Sequence, residues 1–332
     1  MSAPSRELID RHRADYRELF DRVRLDLTPS GADSAIAAQR YFDLGRYLLI
    51  SLSRPGTQAA NLQGIWNVDV RPSWSSNYTT NINLQMNYWG AEVVDLGELV
   101  SPFHNLVAGP ADSGRQTARL RYAARGAVVH HNTDIWRFSA PVKGEPLWSN
   151  WSMALPWLCA HLGDRLDFEW SDQFARQVAA PAIRAAAEFI LDQLVEDPDG
   201  MLVVSPSSSP EHRFAHNGKV ASVTAGATID QELAHQTLSR YLQLAGALEL
   251  ADAFAAEVAA AVALRRLSGG QDHGHYRPCR FRRSADGPAL ATCSRQWVHR
   301  VEPGVGAVPC GETRRDGTGG AVAVPTVRRP QF

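Results

Sequence analysis

Apolar residues over the first 267 positions recur mainly at helical spacing. From Ser34 to Ser53, Ile36, Phe42, Leu48, Leu49 and Leu52 fall near one face, and the pattern stops at Arg54-Pro55-Gly56. From Pro181 to Val195, Ile183, Ala187, Ile190, Leu191 and Leu194 repeat it until Asp197-Pro198-Asp199-Gly200 breaks the run. Met201-Leu202-Val203-Val204 then reads as a short strand. Weaker versions of the same period predict helices over 7–25, 84–95, 114–124, 149–166, 228–248 and 252–267. The fold is therefore expected to be mostly α, with irregular connections between the helices.

The texture changes after Leu267. Ten glycines, six prolines and ten arginines fall between Gly269 and Phe332, and neither a helical nor a strand period is sustained there. A segment so composed buries too little apolar surface to offset chain entropy. Two units follow: residues 1–267 as the structured part, and 268–332 as a low-complexity tail that reads as disordered or as the product of a shifted reading frame. His273, His275, Cys279, Cys293 and Cys310 are of zinc-ligand type, but their spacing fits no compact ligand pairing, so no metal site is expected. The arginines lack the aromatic interleaving of a nucleic-acid arm.

Overall charge changes little in this picture. Lys and Arg number 34 against 35 Asp and Glu, which gives no field to draw nucleic acid or an anionic membrane. No apolar run approaches the roughly 18 residues that a membrane span requires. The opening residues Met1 to Glu7 carry no secretory signal pattern, so the sequence as written reads as cytoplasmic. Cys159 lies among Leu155, Leu158 and Leu162 on a helical face and is expected to be a buried, inert thiol.

The chemistry is concentrated in three loops. The first, Asn61 to Trp89, reads NLQGIWNVDVRPSWSSNYTTNINLQMNYW and mixes Trp66, Trp74 and Trp89 with Asn61, Asn67, Asn77, Asn81, Asn83 and Asn87. Aromatic faces stack on sugar C–H surfaces, and amides both donate to and accept from hydroxyls. Taken singly, each Trp reads as core filler and each Asn as a turn residue; the cluster reads as a carbohydrate site, because so many buried amides are costly without partners. Asn81 and Asn83, two apart in what reads as an extended loop, are expected to face the same side. The second loop, His130-His131-Asn132-Thr133-Asp134-Ile135-Trp136, offers a carboxylate beside imidazole and indole, with a helix cap as the plainer reading. The third, Ser205-Pro206-Ser207-Ser208-Ser209-Pro210-Glu211, is a loop stiffened by two prolines and ending in a carboxyl group that suits a general acid.

Together these segments resemble glycoside hydrolase family 95, the inverting α-L-fucosidases. The resemblance rests on Phe42 to Trp66 (FDLGRYLLISLSRPGTQAANLQGIW), Thr80 to Glu92 (TNINLQMNYWGAE), His130 to Trp136 (HHNTDIW) and Ser205 to Glu211 (SPSSSPE), in matching order and spacing over about residues 10–267. Gly90 is one local departure, since proline is more usual there. The resemblance implies a partial (α/α)6 barrel of the six-hairpin glycosidase type, incomplete at the C-terminal end. It places Glu211 on the general acid, Asn81 and Asn83 on the two amides that orient the attacking water, and His131, Asn132, Asp134 and Trp136 in the sugar pocket. The implied substrate is a fucosylated oligosaccharide or glycan, and no cofactor is called for.

The family's later barrel helices and its catalytic aspartate have no match between Ser268 and Phe332. The general base is therefore expected to be missing and turnover by this chain lost. A catalytically inactive fragment and a carbohydrate-binding remnant stand as alternatives to a working hydrolase. Within enzymes, an α-L-galactosidase-like activity also fits, because L-galactose differs from L-fucose only at C6.

Overall fold

A computed structural model describes residues 3–27, 31–250 and 253–264 of the chain. The tail assigned to 268–332, with its histidines and cysteines, lies outside the described residues. Within them the protein is mostly helical. It opens with α1 (Ala3–Phe20) and α2 (Asp33–Leu52), which pack on one another. Their junction is plugged by Arg46, a buried arginine of α2 whose guanidinium donates to the carbonyls of Phe20 at 2.6 Å and Val23 at 2.7 Å. Helix ends leave carbonyls without intrahelical partners, so a cation placed at the end of α1 is satisfied by groups that would otherwise be orphaned. The same guanidinium lies 4.7 Å from the centre of the Phe20 ring.

Irregular chain then leads through β1 (Tyr78–Thr79) to α3 (Asn83–Tyr88), α4 (Ser101–Ala108) and α5 (Pro110–Tyr122). β2 (Asn132–Thr133) returns to pair antiparallel with β1, Tyr78 opposite Thr133 and Thr79 opposite Asn132. After α6 (Pro146–Ser149) come α7 (Ala154–Phe168), α8 (Asp172–Phe174) and α9 (Ala180–Gln193). Two hairpins follow, β3 (Leu194–Glu196) with β4 (Leu202–Val204) and β5 (Phe214–His216) with β6 (Lys219–Ala221). The described residues end with α10 (Thr228–Ala247) and α11 (Ala253–Leu264). No helix among them is long and apolar enough to cross a membrane.

The core forms where α10 packs against α7, α9 and α11. Ala182, Ala185, Ala186 and Ala187 on α9 are all buried, and such small side chains let neighbouring backbones approach closely. Trp151, Phe103, Tyr88 and Tyr241 are among the largest fully buried side chains. Cys159 is buried as expected, and burial pushes its thiol well above the ordinary range, so it stays protonated.

One connection is tied down with unusual closeness. α5 ends at Ala123 in the left-handed region, and Gly126, at φ +66°, lays the chain against α9 with the Ala127 N–H donating to the Ala185 carbonyl at 2.9 Å. Arg125 then clamps Asp192 of α9 and Glu257 of α11 at 2.7 Å each. Its guanidinium holds both carboxyl groups below their ordinary range.

Most predicted helices are present with shifted ends. The helix expected over 84–95 closes at Tyr88 and gives way to turns, with the Ala91 N–H donating to the Tyr88 carbonyl at 3.0 Å; the Tyr88 hydroxyl meets Ser53 Oγ at 2.7 Å and the Ala60 N–H at 2.6 Å in the core. The last two residues expected in the helix ending at Val195 instead belong to β3, the partner of the expected strand. α4 carried no separate sequence signal.

Candidate functional site

β1 and β2 are the frame that brings the first two loops together. Beyond their pairing, Thr80 reaches across twice: its N–H donates to the His131 carbonyl at 2.7 Å and its hydroxyl to the His130 carbonyl at 2.6 Å. Gln85 Nε2 closes the turn from the other side on the Thr80 carbonyl at 2.5 Å. Asn81 is thereby fixed beside His131. Residues 80–82 form a turn and Asn83 is the first residue of α3, so the extended loop expected around the two asparagines is not what the chain adopts. Asn81 is buried and Asn83 half-buried.

His130 anchors the second loop. The Ser139 carbonyl, 2.7 Å from Nδ1, can only accept, so Nδ1 carries the proton and Nε2 accepts from the Tyr122 hydroxyl at 2.7 Å. Burial pushes this imidazole down to about 4 and keeps it neutral. Further along, Asp134 Oδ1 accepts from the N–H groups of Trp136 at 2.9 Å and Phe138 at 3.0 Å. This Asx-type turn replaces the helix cap considered from sequence. It leaves the Trp136 indole 81% exposed.

The third loop arrives from the α9 side. Ser207 pairs with Thr224 through two backbone hydrogen bonds of 2.8 Å. Four residues on, the exposed Glu211 sets Oε1 3.5 Å from Asn81 Nδ2, joining segments 130 residues apart. The neighbouring Arg213 forms an ion pair with Glu145. The structure thus brings Asn81, His131 and Glu211 together, with Asn132 and Asn83 one and two residues from them in the chain.

Hydrogen bonding sets this region apart. Asn61 Oδ1, Asn81 Oδ1, Gln85 Oε1, His131 Nδ1, Asn132 Oδ1 and Thr133 Oγ1 are shielded from solvent and have no hydrogen-bond partner among the described residues. Buried polar groups are ordinarily paired, and an unpaired one costs about 1–3 kcal/mol; among the described residues the other such atoms are on Arg46, Glu92, Ser101 and His104, so the largest share falls in the first two loops, where it favours a place kept for other chemistry than stability. The tryptophans divide the same way. Trp151 is core, whereas Trp66, Trp74, Trp89 and Trp136 are all substantially exposed, which rejects the core-filler reading for the three in the first loop. Trp74 is carried on a left-handed turn: Trp74, Ser75 and Ser76 have φ of 51°, 57° and 43°.

Sequence reasoning missed what supports Glu211. Asp230 of α10 is 1% exposed and receives the Trp151 indole N–H at 2.8 Å and the Ser207 hydroxyl at 2.6 Å. Burial pushes its carboxyl up to about 6. The local signal was an acidic residue in the first turn of a helix, which a helix terminus explains by itself.

Burial also holds the His131 imidazole below its ordinary range, and the Glu211 carboxylate partly offsets this by favouring the charged form. Glu211→Gln removes that offset, so the His131 titration followed by NMR should move to lower pH. An unmoved titration would place Glu211 away from His131 in solution.

Residues 4–274 match the glycosyl hydrolase family 95 catalytic domain. Alpha-L-fucosidase 2 of Arabidopsis thaliana is 40% identical over 245 residues, covering 68% of this chain and 29% of its own length. A probable alpha-fucosidase A of Aspergillus niger is 37% identical over 253 residues, covering 70% and 31%. The chain therefore spans under a third of these relatives. Among solved structures, a putative kojibiose phosphorylase from human microbiome aligns over 80% of this chain and 38% of its own, with a TM-score of 0.57 at 10% identity. At that identity the likeness speaks for the fold alone, and with the family match it identifies the helices as part of an (α/α) barrel.

Proposed function

The chain belongs to glycoside hydrolase family 95, and from that premise we propose that it carries an α-L-fucoside-recognising surface and the proton donor of an inverting hydrolase. The observation that carries the reading is the contact between Asn81 and Glu211. A carboxylate only accepts, so the Asn81 amide turns its NH2 towards Glu211 and its carbonyl, which has no partner, elsewhere.

Inversion needs an acid on the leaving oxygen and an activated water on the opposite face of the sugar. Glu211 is the acid, exposed where a leaving group can reach it. Asn81 and Asn83 hold the water through their side-chain carbonyls. His131, Asn132 and Asp134 face the sugar hydroxyls, and Trp136 supplies an apolar face for its C–H surface. The substrate class is a terminal α-linked L-fucose on an oligosaccharide or glycan.

Isothermal titration of the purified chain with L-fucose, D-fucose and D-glucose tests this. L-fucose should bind selectively, and Trp136→Ala should weaken it by roughly 10-fold, the scale of one lost aromatic contact. Equal responses to L- and D-fucose would reject the assignment.

A further inference from the structure

The chain folds an acidic side chain into its core directly behind the loop that ends in Glu211. Asp230 stands in the first turn of α10, and each of its oxygens is used. Oδ1 accepts the indole N–H of the fully buried Trp151 at 2.8 Å. Oδ2 accepts the Ser207 hydroxyl at 2.6 Å and the Ser208 N–H at 3.4 Å. Ser207 Oγ in turn accepts the Ala227 N–H at 3.0 Å, just ahead of the helix. The two serines are themselves buried, at 3% and 5% exposure. Beyond them the Ser209 carbonyl accepts the His212 N–H at 2.7 Å, closing the turn that presents Glu211.

We propose that Asp230 is a positioning residue: acting through Ser207 and Ser208, it fixes the loop that holds the Glu211 carboxyl against Asn81 and His131. The proposal rests on the reading of Glu211 as the proton donor and names what holds that donor in place. A carboxylate taken out of water is expensive unless hydrogen bonds compensate it, and a helix terminus asks only for an exposed acid in its first turn. Burial against Trp151 with both oxygens turned to the Ser-Pro loop and the indole goes beyond that need. A proton donor is useful only within hydrogen-bond reach of the leaving oxygen, so the loop that carries it has to be held in one place.

The test needs no sugar. Burial and the Glu211 carboxylate are the influences acting on the His131 imidazole, so its NMR titration reports where Glu211 lies. Ser207→Ala leaves the Asp230 charge in place and cuts the shorter of its two links to the loop. Asp230→Asn removes the charge at constant size. Both variants should shift the His131 titration to lower pH, as Glu211→Gln does, and neither should add to the shift in a double variant with Glu211→Gln. Hydrogen exchange over residues 205–212 should quicken by about 10-fold or more in both, with exchange in α9 unchanged, as expected of local rather than global opening. A Ser207→Ala protein with wild-type exchange and a wild-type His131 titration overturns the proposal, and it settles the matter even where Asp230→Asn fails to fold. Failure of the wild-type chain to distinguish L-fucose from D-fucose would instead remove the functional reading and leave the loop anchor standing.

Discussion

The purified 332-residue chain is expected to bind L-fucose yet release none of it from a 2'-fucosylated oligosaccharide above an empty-vector control. Inverting hydrolysis divides its work between two carboxyl groups, one giving a proton to the leaving oxygen and one taking a proton from water. In the proposed reading Glu211 meets the first requirement. Asp134 in the second loop and Asp230 behind the third do not meet the second. Asp134 spends Oδ1 on two backbone N–H groups of its own turn, and Asp230 is buried with both oxygens engaged. Asp230 thus has no oxygen left to take a proton from water, and Asp134 is held by its own turn. A missing general base costs about 10²- to 10⁴-fold, which brings a modest glycosidase to background. Measured release of fucose well above the control would show that another carboxylate serves as base.

Gly126→Ala is expected to have the largest effect on stability. At φ +66° a side chain is already strained, and a Cβ built there would sit 2.6 Å from the Phe189 backbone nitrogen and closer still to the Ala185 carbonyl oxygen. Neither obstacle is the end of a flexible side chain. Both belong to the backbone of α9, the helix that packs on α7 and α10 in the core. Relief requires the connection after α5 to lift away, taking with it the Ala127 hydrogen bond and the Arg125 clamp. The loss should exceed about 4 kcal/mol, in the range reserved for backbone clashes and core disruption. Thermal denaturation should show a melting point lower by about 10 °C or more, or no folded protein. By comparison, Gly56→Ala, at φ +86° with open space around it, should suffer only the conformational penalty, about 1 kcal/mol. Equal melting points for the two variants would refute the packing argument.

Helices were readable from sequence where one apolar face persists for several turns, as in α2, α9 and α10. α3 was misjudged: past Tyr88 the chain runs as turns, the Ala91 N–H donating to the Tyr88 carbonyl at 3.0 Å, and the apolar period of 84–95 carries no sign of the change. The carbohydrate reading proposed for the site rests on the crowding of Asn and Trp, because residue type alone limits what such a loop can bind. The assembly of the site was not legible in the sequence. That Asn81 lies near the second loop depends on the short β1–β2 ladder, whose strands of two residues each leave almost no trace of alternation, and its meeting with Glu211 joins segments 130 residues apart. Asp230 was equally hidden, since a helix-terminal acid and a buried anchor look alike until burial is known.

The left-handed turn at Trp74 bears on how tightly any ligand is held. Three successive residues other than glycine occupy a region that side chains avoid, and the turn persists because Ser75 N–H reaches the Pro72 carbonyl at 3.1 Å and Ser76 Oγ accepts the Gln63 N–H at 3.3 Å. The Trp74 ring is thus offered to solvent, 78% exposed, from a backbone with little freedom left to lose. Association with a flexible loop is taxed by the entropy of ordering it, commonly about 0.5–1.5 kcal/mol for each immobilised side chain. Here the backbone share of that ordering is completed during folding, so a ligand face meeting Trp74 would have only the indole's own rotamers left to fix.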